Sequence, residues 1–232
     1  LNYTDEDKFD VVLMNPPYGG NEKSDVKSHF PSDMRSSETA DLFIVLIMYR
    51  LKRNGRAAVI VPDGFLFGAD NTKIAIKTKL LRDFNLHTII RLPGSIFAPY
   101  TSIATNILFF DNTCAEGAPE GYSTKETWFY RLDMPEGYKH FSKTKPMKSE
   151  HCDPIREWWN DRKEIIIADG DEKSRCYSVE DLIATDCNFD LCKFPKEDEE
   201  ILPPAELLAD YFKKRKALDH EIDKTLAEIQ RI

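Results

Sequence analysis

Over the first half of the chain, short apolar runs alternate with breaks rich in Pro, Gly and Asn. Residues 11–14, Val-Val-Leu-Met, form a β-branched run that predicts a buried strand. The run stops at Asn15-Pro16-Pro17-Tyr18-Gly19-Gly20. Residues 19–37 then mix Gly, Asn, Ser, Asp and Pro with little periodicity, which predicts a long loop of the kind that carries function and moves over a reaction centre. Leu42, Phe43, Leu46, Ile47, Met48 and Leu51 recur at helical spacing, so a helix is expected over about residues 39–53, stopped by Asn54-Gly55. A second strand over 57–61 ends in Pro62-Asp63-Gly64. Asp70 or Asn71 caps a helix running to about Phe84, and strands follow at 87–92 and 105–110. The last two strands have no helix between them and are expected to pair antiparallel. This order is that of the carboxyl-terminal half of a doubly wound, Rossmann-like α/β sheet.

The second half is less regular. Residues 111–125 are rich in Gly, Ala, Pro and Glu and read as a linker or surface loop. A strand at 127–132, a short helix at 154–160 carrying Trp158 and Trp159, an apolar run at 165–167 and a capped helix start at Ser178 suggest a small α+β extension wrapped on the domain. Pro203-Pro204 opens a final helix to about Arg231. Along it Leu208, Tyr211, Arg215, Leu218, Ile222, Thr225, Ile229 and Ile232 alternate at spacings of three and four, a coiled-coil-like seam. Such a helix is about 40 Å long at ~1.5 Å per residue. Its stripe either binds a partner or folds back on its own domain. The expected divisions are 1–112, 113–202 and 203–232.

Charge refines this picture. Residues 1–110 carry a net charge of +1, and residues 111–232 carry −9. An acidic tail is a poor binder of phosphates, so if nucleic acid is the substrate, another chain is expected to supply most of the grip. The five cysteines (Cys114, Cys152, Cys176, Cys187 and Cys192) are odd in number and match no common zinc spacing, which predicts reduced thiols and no metal site. With no signal peptide and no apolar run long enough to span a bilayer, a cytoplasmic protein away from membranes is expected.

The chemistry concentrates at Asn15-Pro16-Pro17-Tyr18. The prolines fix φ and remove N–H donors, so the chain leaves the strand rigidly with the Asn15 amide presented at the strand's carboxyl end. Open α/β sheets bind ligands there. Ordinary turn chemistry does not require the order Asn-Pro-Pro-aromatic after a buried strand. The stretch resembles the catalytic motif of S-adenosylmethionine-dependent amino-methyltransferases, whose usual target is N6 of adenine in DNA. That nitrogen is a poor nucleophile because its lone pair is conjugated with the ring. The Asn15 side-chain oxygen and the Pro16 carbonyl could accept hydrogen bonds from the amino group and favour its more tetrahedral, positively charged transition state. Tyr18 would stack on a base flipped from the duplex.

Two further blocks narrow the resemblance. Residues 91–110, Arg-Leu-Pro-Gly-Ser-Ile-Phe-Ala-Pro-Tyr-Thr-Ser-Ile-Ala-Thr-Asn-Ile-Leu-Phe-Phe, and residues 55–67, Gly-Arg-Ala-Ala-Val-Ile-Val-Pro-Asp-Gly-Phe-Leu-Phe, look like the M subunit of type I restriction–modification systems. The resemblance implies an adenine-N6 DNA methyltransferase using S-adenosylmethionine and working with a specificity subunit and a restriction subunit on double-stranded DNA. It assigns catalysis to Asn15, Pro16, Pro17 and Tyr18, base binding to Tyr18, Phe97 and Tyr100, and a cofactor contact to Asn15. Phe97 and Tyr100 serve equally well as packing between strands. Asp63, at a strand end, is set aside as a turn residue, and His87 as structural. The chain contains no Gly-x-Gly and no Gly-rich loop ahead of Asn15, so a fragment lacking the cofactor half of its sheet, inactive alone, is expected. The alternatives are an amino-methyltransferase acting on protein glutamine or on RNA, and a non-catalytic assembly module working through the last helix.

Overall fold

The computed structural model describes residues 3–167, 170–192 and 204–229. The chain divides into one unit up to residue 195 and a second from residue 196. The first unit is built on a mixed seven-stranded sheet of order β1-β2-β4-β3-β5-β7-β6. Its strands are β1 (Phe9–Met14), β2 (Leu51–Pro62), β3 (Asn85–Arg91), β4 (Thr105–Asp111), β5 (Glu126–Arg131), β6 (Ile165–Ile167) and β7 (Asp171–Ser178). β1 runs parallel to β2 and β3 parallel to β5, while β4 lies antiparallel between β2 and β3. The carboxyl ends of β1, β2 and β3 therefore share one edge of the sheet. The expected antiparallel pairing of β3 and β4 is present.

One face of the sheet is covered by α2 (Thr39–Arg50), α4 (Asn71–Asp83) and α6 (Val179–Ala184). Val12, Val59, Val61, Leu86, Ile89, Leu108 and Phe110 point into a single core with Ile44 and Ile47 of α2, Ile76 and Leu80 of α4, and Leu182 of α6. The helices begin where their caps place them. The Asp70 carboxylate accepts the Lys73 amide at 3.0 Å, and Ser178 and Asp181 each accept the other's amide at 3.2 and 3.1 Å. The opposite face holds a smaller core in which Trp158 of α5 (Asp153–Asn160) packs on Ile90, Tyr130 and Leu132. That cover stops short of β1, where Val11 is 50% and Leu13 77% exposed, so the run expected to form a buried strand sends only Val12 into the core.

Several elements differ from expectation. The first long helix ends at Arg50, and Asn54-Gly55 lies inside β2. Asn54 takes a φ of 62°, and Gly55 sits so close to the strand beside it that a Cβ would fall 3.1 Å from the Asp10 carbonyl oxygen. The pair forms the irregularity that shifts the β1–β2 register between Phe9 and Val11, and is no helix stop. Residues 19–37 contain α1 (Ser24–Ser28) and a 3-10 turn (Ser32–Met34), and Phe30 and Met34 enter the main core. A short helix, α3 (Asp63–Phe67), follows β2 and was not expected. Nor was β7, whose polar sequence is held at the sheet's far side by pairing with β5 and by the buried Arg131, which donates through its Nη1 and Nη2 to Asp171 at 2.9 and 2.6 Å.

The second unit contains α7 (Pro204–Ile229). Leu208, Tyr211, Phe212, Leu218, Ile222 and Leu226 are each more than half exposed along it. Arg215 and Thr225 of the expected seam are exposed too, and Ile232 lies outside the described residues. Among the described residues no helix is long and apolar enough to cross a membrane, and no group of three or more potential ligands could hold a metal ion. All five cysteines are free thiols.

Candidate active site

Asn15-Pro16-Pro17-Tyr18 lies at the carboxyl end of β1, on the shared edge described above. Pro16 is buried, Asn15 and Pro17 are exposed, and Tyr18 is half-buried. The Tyr18 hydroxyl donates to Asn15 Oδ1, folding the two side chains of the motif onto each other. Burial raises the Tyr18 pKa above its ordinary value against the opposing pull of that hydrogen bond, so the phenol stays a donor. The Tyr18 ring meets Phe97 at a centroid distance of 5.5 Å and an interplanar angle of 52°. Phe97 belongs to the connection from β3 to β4, whose successive turns are closed by Ile96, Ala98 and Tyr100 amides donating to the carbonyls of Pro93, Ser95 and Phe97. Asn15, Tyr18 and Phe97 are thus brought together from two strand ends. Tyr100 is not part of this group; it is 92% exposed in the same connection.

Two polar networks, neither anticipated as a unit, hold the loops that flank this group. The loop after Tyr18 is closed on itself by an Asn21–Glu38 bridge, by the Thr39 amide donating to the Gly20 carbonyl at 3.3 Å and by Thr39 Oγ1 donating to Glu22 at 3.2 Å. Gly20 has a φ of 124°, and a Cβ there would sit 3.1 Å from Thr39 Oγ1, so the return of the loop requires glycine. The loop's far end is tied down by Lys73 of α4, whose ammonium reaches Glu38 at 2.5 Å, Asp41 at 3.2 Å and Asp70 at 3.6 Å. Asp41 is fully buried and accepts the Ser36 hydroxyl at 2.6 Å, while its Oδ1 has no hydrogen-bond partner among the described residues. Burial raises the Asp41 pKa, opposed by Ser36 and Lys73. Burial lowers that of Lys73, but the Glu38 and Asp41 carboxylates outweigh it and the net shift is upward.

The second network joins the ends of β2, β4 and β3. Asn106 donates to Asp63 at 2.5 Å, and the buried Arg91 reaches Asn106 at 3.3 Å, Asp63 at 3.5 Å and Asp190. Asp63, set aside at first as a turn residue, is here the shared acceptor that fixes the start of the Phe97 connection. The signal in the sequence was Asn106 and Arg91 inside otherwise apolar strands, since a buried polar side chain requires partners. His87 lies away from this group: its ring is 5.9 Å from that of Trp159, and burial lowers its pKa despite the nearby Asp111.

Asn15 is exposed at the tip of β1, and among the described residues β1 is an edge strand of the sheet, pairing with β2 alone. That arrangement fits a contact from Asn15 to a cofactor held across the free side of β1.

The fold and site place the chain in the class of Rossmann-like α/β domains that end a strand in Asn-Pro-Pro-Tyr, here with Phe97 of the β3–β4 connection packed against the tyrosine. Residues 2–201 match the N-6 DNA Methylase family, and the chain belongs to that family. It is 44% identical over 208 residues, 89% of its length, to the EcoEI methylase subunit of a type I restriction enzyme from Escherichia coli, and spans 40% of that relative. Among solved structures, a modification subunit from Vibrio vulnificus YJ016 superposes with a TM-score of 0.68 at 43% identity, over 78% of this chain and 36% of the other. A chain solved in a study of type I restriction–modification complex assembly gives 0.67 at 33% identity, over 97% and 46%.

Proposed function

We propose that these residues form the catalytic half of the M subunit of a type I restriction–modification enzyme, a cytoplasmic adenine-N6 DNA methyltransferase. The observation that carries the reading is the Asn15–Tyr18–Phe97 group at the end of β1 in a chain of this family. In this reading Asn15 Oδ1 and the Pro16 carbonyl accept the two N–H groups of a flipped adenine's amino nitrogen. They thereby aim its lone pair and stabilise positive charge as the nitrogen becomes tetrahedral. Pro17 keeps the two acceptors in register by fixing the backbone between Pro16 and Tyr18. Tyr18 and Phe97 offer apolar ring faces to the base, and the exposed Tyr100 closes over it from the same connection. Asn15 Oδ1 already accepts the Tyr18 hydroxyl; the amino group takes its second lone pair or displaces the phenol. S-adenosylmethionine, when bound, supplies the electrophilic methyl group. Strands pairing along the open edge of β1 would carry most of its site, and the exposed Val11 and Leu13 mark a sheet face that such an addition would also cover. Residues 1–232 alone therefore transfer no methyl group.

Partner binding is assigned to α7, whose exposed Leu208, Tyr211, Leu218 and Ile222 suit a helix of a specificity subunit that reads the DNA sequence, with the restriction subunit joining that assembly. The test is methyl transfer from labelled S-adenosylmethionine to double-stranded DNA by the full-length protein assembled with its specificity subunit. N6-methyladenine that is lost in N15A is the expected product. Label on protein glutamine or on RNA, with none on DNA, would refute the reading.

A further inference from the structure

We propose that residues 139–148 form a phosphate clamp that grips the DNA backbone beside the target base; this rests on the methyltransferase reading above. The segment Lys139-His140-Phe141-Ser142-Lys143-Thr144-Lys145-Pro146-Met147-Lys148 carries four lysines and a histidine, with no carboxylate between Glu136 and Glu150. It lies in the half of the chain whose net charge is −9, so its sign is opposite to its surroundings. Lys139, His140, Lys143, Lys145 and Lys148 are all exposed. Lys148 pairs with Glu150 at 3.4 Å, whereas Lys139 and Lys143 have no carboxylate at ion-pairing distance among the described residues.

A solvated lysine run needs no fixed base, but this one has one. Phe141, in its middle, is 2% exposed, stacks on His151 at 5.5 Å and meets Tyr138 at 5.6 Å. Its amide donates to Ser95 Oγ at 2.8 Å. Ser95 is two residues from Phe97, which touches Tyr18 of the catalytic motif. Beyond Phe141 the chain turns tightly, with Ser142 and Lys145 exchanging amide-to-carbonyl hydrogen bonds of 3.0 and 3.1 Å, and the Lys145 ammonium lies 5.7 Å from the Tyr138 ring centre. Lys139, His140, Lys143 and Lys145 emerge one to four residues from the Phe141 anchor, at most about 14 Å along an extended chain.

An enzyme that extrudes a base must hold the strand on either side of it, and phosphate contacts do this without reading sequence. Positive charge anchored to the loop that contacts the motif tyrosine matches that need. An acidic surface on a protein partner is the competing ligand for the same charge.

The test uses the full-length protein assembled with its specificity subunit and a duplex that the wild-type enzyme methylates. In the triple variant K139Q/K143Q/K145Q, log K against log[salt] should flatten by about 2–3, roughly 0.9 for each phosphate that is no longer neutralised. The KM for DNA should rise. The charge-preserving K139R/K143R/K145R should keep the wild-type slope. An unchanged slope in the glutamine triple, a flattened one in the arginine triple, or weakened subunit assembly with normal salt dependence would each overturn the clamp. Such results leave the methyltransferase reading standing, provided the wild type makes N6-methyladenine; a wild type that makes none refutes both.

Discussion

Replacing Lys73 by Met is the sharpest test of what holds the loop behind the Asn-Pro-Pro-Tyr motif. Lys73 is 6% exposed and faces three carboxylates, but they do not count equally. Glu38 and Asp70 are about half exposed, so losing the lysine costs each of those pairs no more than about 1 kcal/mol. Asp41 is fully buried, its Oδ1 has no hydrogen-bond partner among the described residues, and without Lys73 the hydrogen bond left to its carboxylate is the one from the Ser36 hydroxyl. Removing one member of a buried pair costs about 3–5 kcal/mol. With a urea m-value of about 2 kcal/mol/M, K73M should lower the unfolding midpoint by about 1.5–2.5 M at pH 7, followed by tryptophan fluorescence. Two internal controls separate charge from packing. D41N/K73M should recover about half of the loss or more, because the orphaned charge goes with the lysine. The K73M defect should also shrink on acidification. Burial raises the folded-state pKa of Asp41 above 3.8, and losing Lys73 raises it further. The protonated carboxyl then favours the folded state, a contribution complete below the unfolded pKa and lost as pH rises through the folded one. A K73M loss under about 1 kcal/mol, or one that neither the second mutation nor acid reduces, would refute this account.

In the assembled enzyme, N15A should lower kcat by about 10²–10³, the usual cost of one aimed polar group at a developing charge, read as N6-methyladenine formed per minute. Y18A should lose about 1–3 kcal/mol of base stacking, visible in kcat/KM, whereas Y18F keeps the ring and should fall by less than about tenfold. L218E on α7 should abolish co-elution with the specificity subunit without moving the thermal transition of the sheet domain; intact co-elution would remove α7 from the interface. Lys77 is buried, donates to the carbonyls of Leu66 and Gly68, and has its pKa pulled from 10.5 to about 8 by burial. The stabilisation from its neutral form is complete above 10.5 and fades as pH falls through about 8. The wild-type urea midpoint should accordingly gain on that of K77M between pH 8 and 10.5, and parallel pH profiles would contradict the assignment.

The parts of the fold legible in the sequence are those where one residue type excludes alternatives. Two prolines after Val-Val-Leu-Met end β1 whatever surrounds them, and Asp70 caps α4 by local geometry alone. The motif could be placed at a strand end for the same reason, and the antiparallel β3–β4 pair followed from the missing helix between them. What was not legible depends on distant partners. Asn54-Gly55 looks like a helix stop, yet a register irregularity with β1 draws the pair into a strand. The polar β7 has no strand signature of its own and exists because β5 and the Arg131–Asp171 pair order it. Asp63 could not be told from a turn residue until Asn106, 43 positions away, was seen to donate to it. Phe97 and Tyr100 had equal claims by composition; only packing separated the one that meets Tyr18 from the one that stands in solvent.

The two networks explain how a motif on an edge strand can be held in a fixed position. Among the described residues β1 has a neighbour on one side only, and Asn15 itself is exposed, so neither sheet pairing nor burial of that side chain fixes its direction. Position has to come from the segments on either side. Downstream, the chain returns through Gly20 and Glu38 to Lys73 on α4; across the edge, Phe97 is carried by a connection pinned through Arg91, Asn106 and Asp63. Tyr18 bridges the two, bonded to Asn15 and packed on Phe97. A displacement of about 1 Å can cost a reaction about a hundredfold, so a fault in either network should reach the amide oxygen of Asn15. That gives K73M a second consequence. At temperatures where it remains folded, in the assembled enzyme, it should lose kcat while Lys73 touches neither base nor cofactor, and D41N/K73M should restore rate and stability together. Stability restored without rate would show that the lysine clamp holds the fold and leaves the motif to be positioned by Phe97 alone.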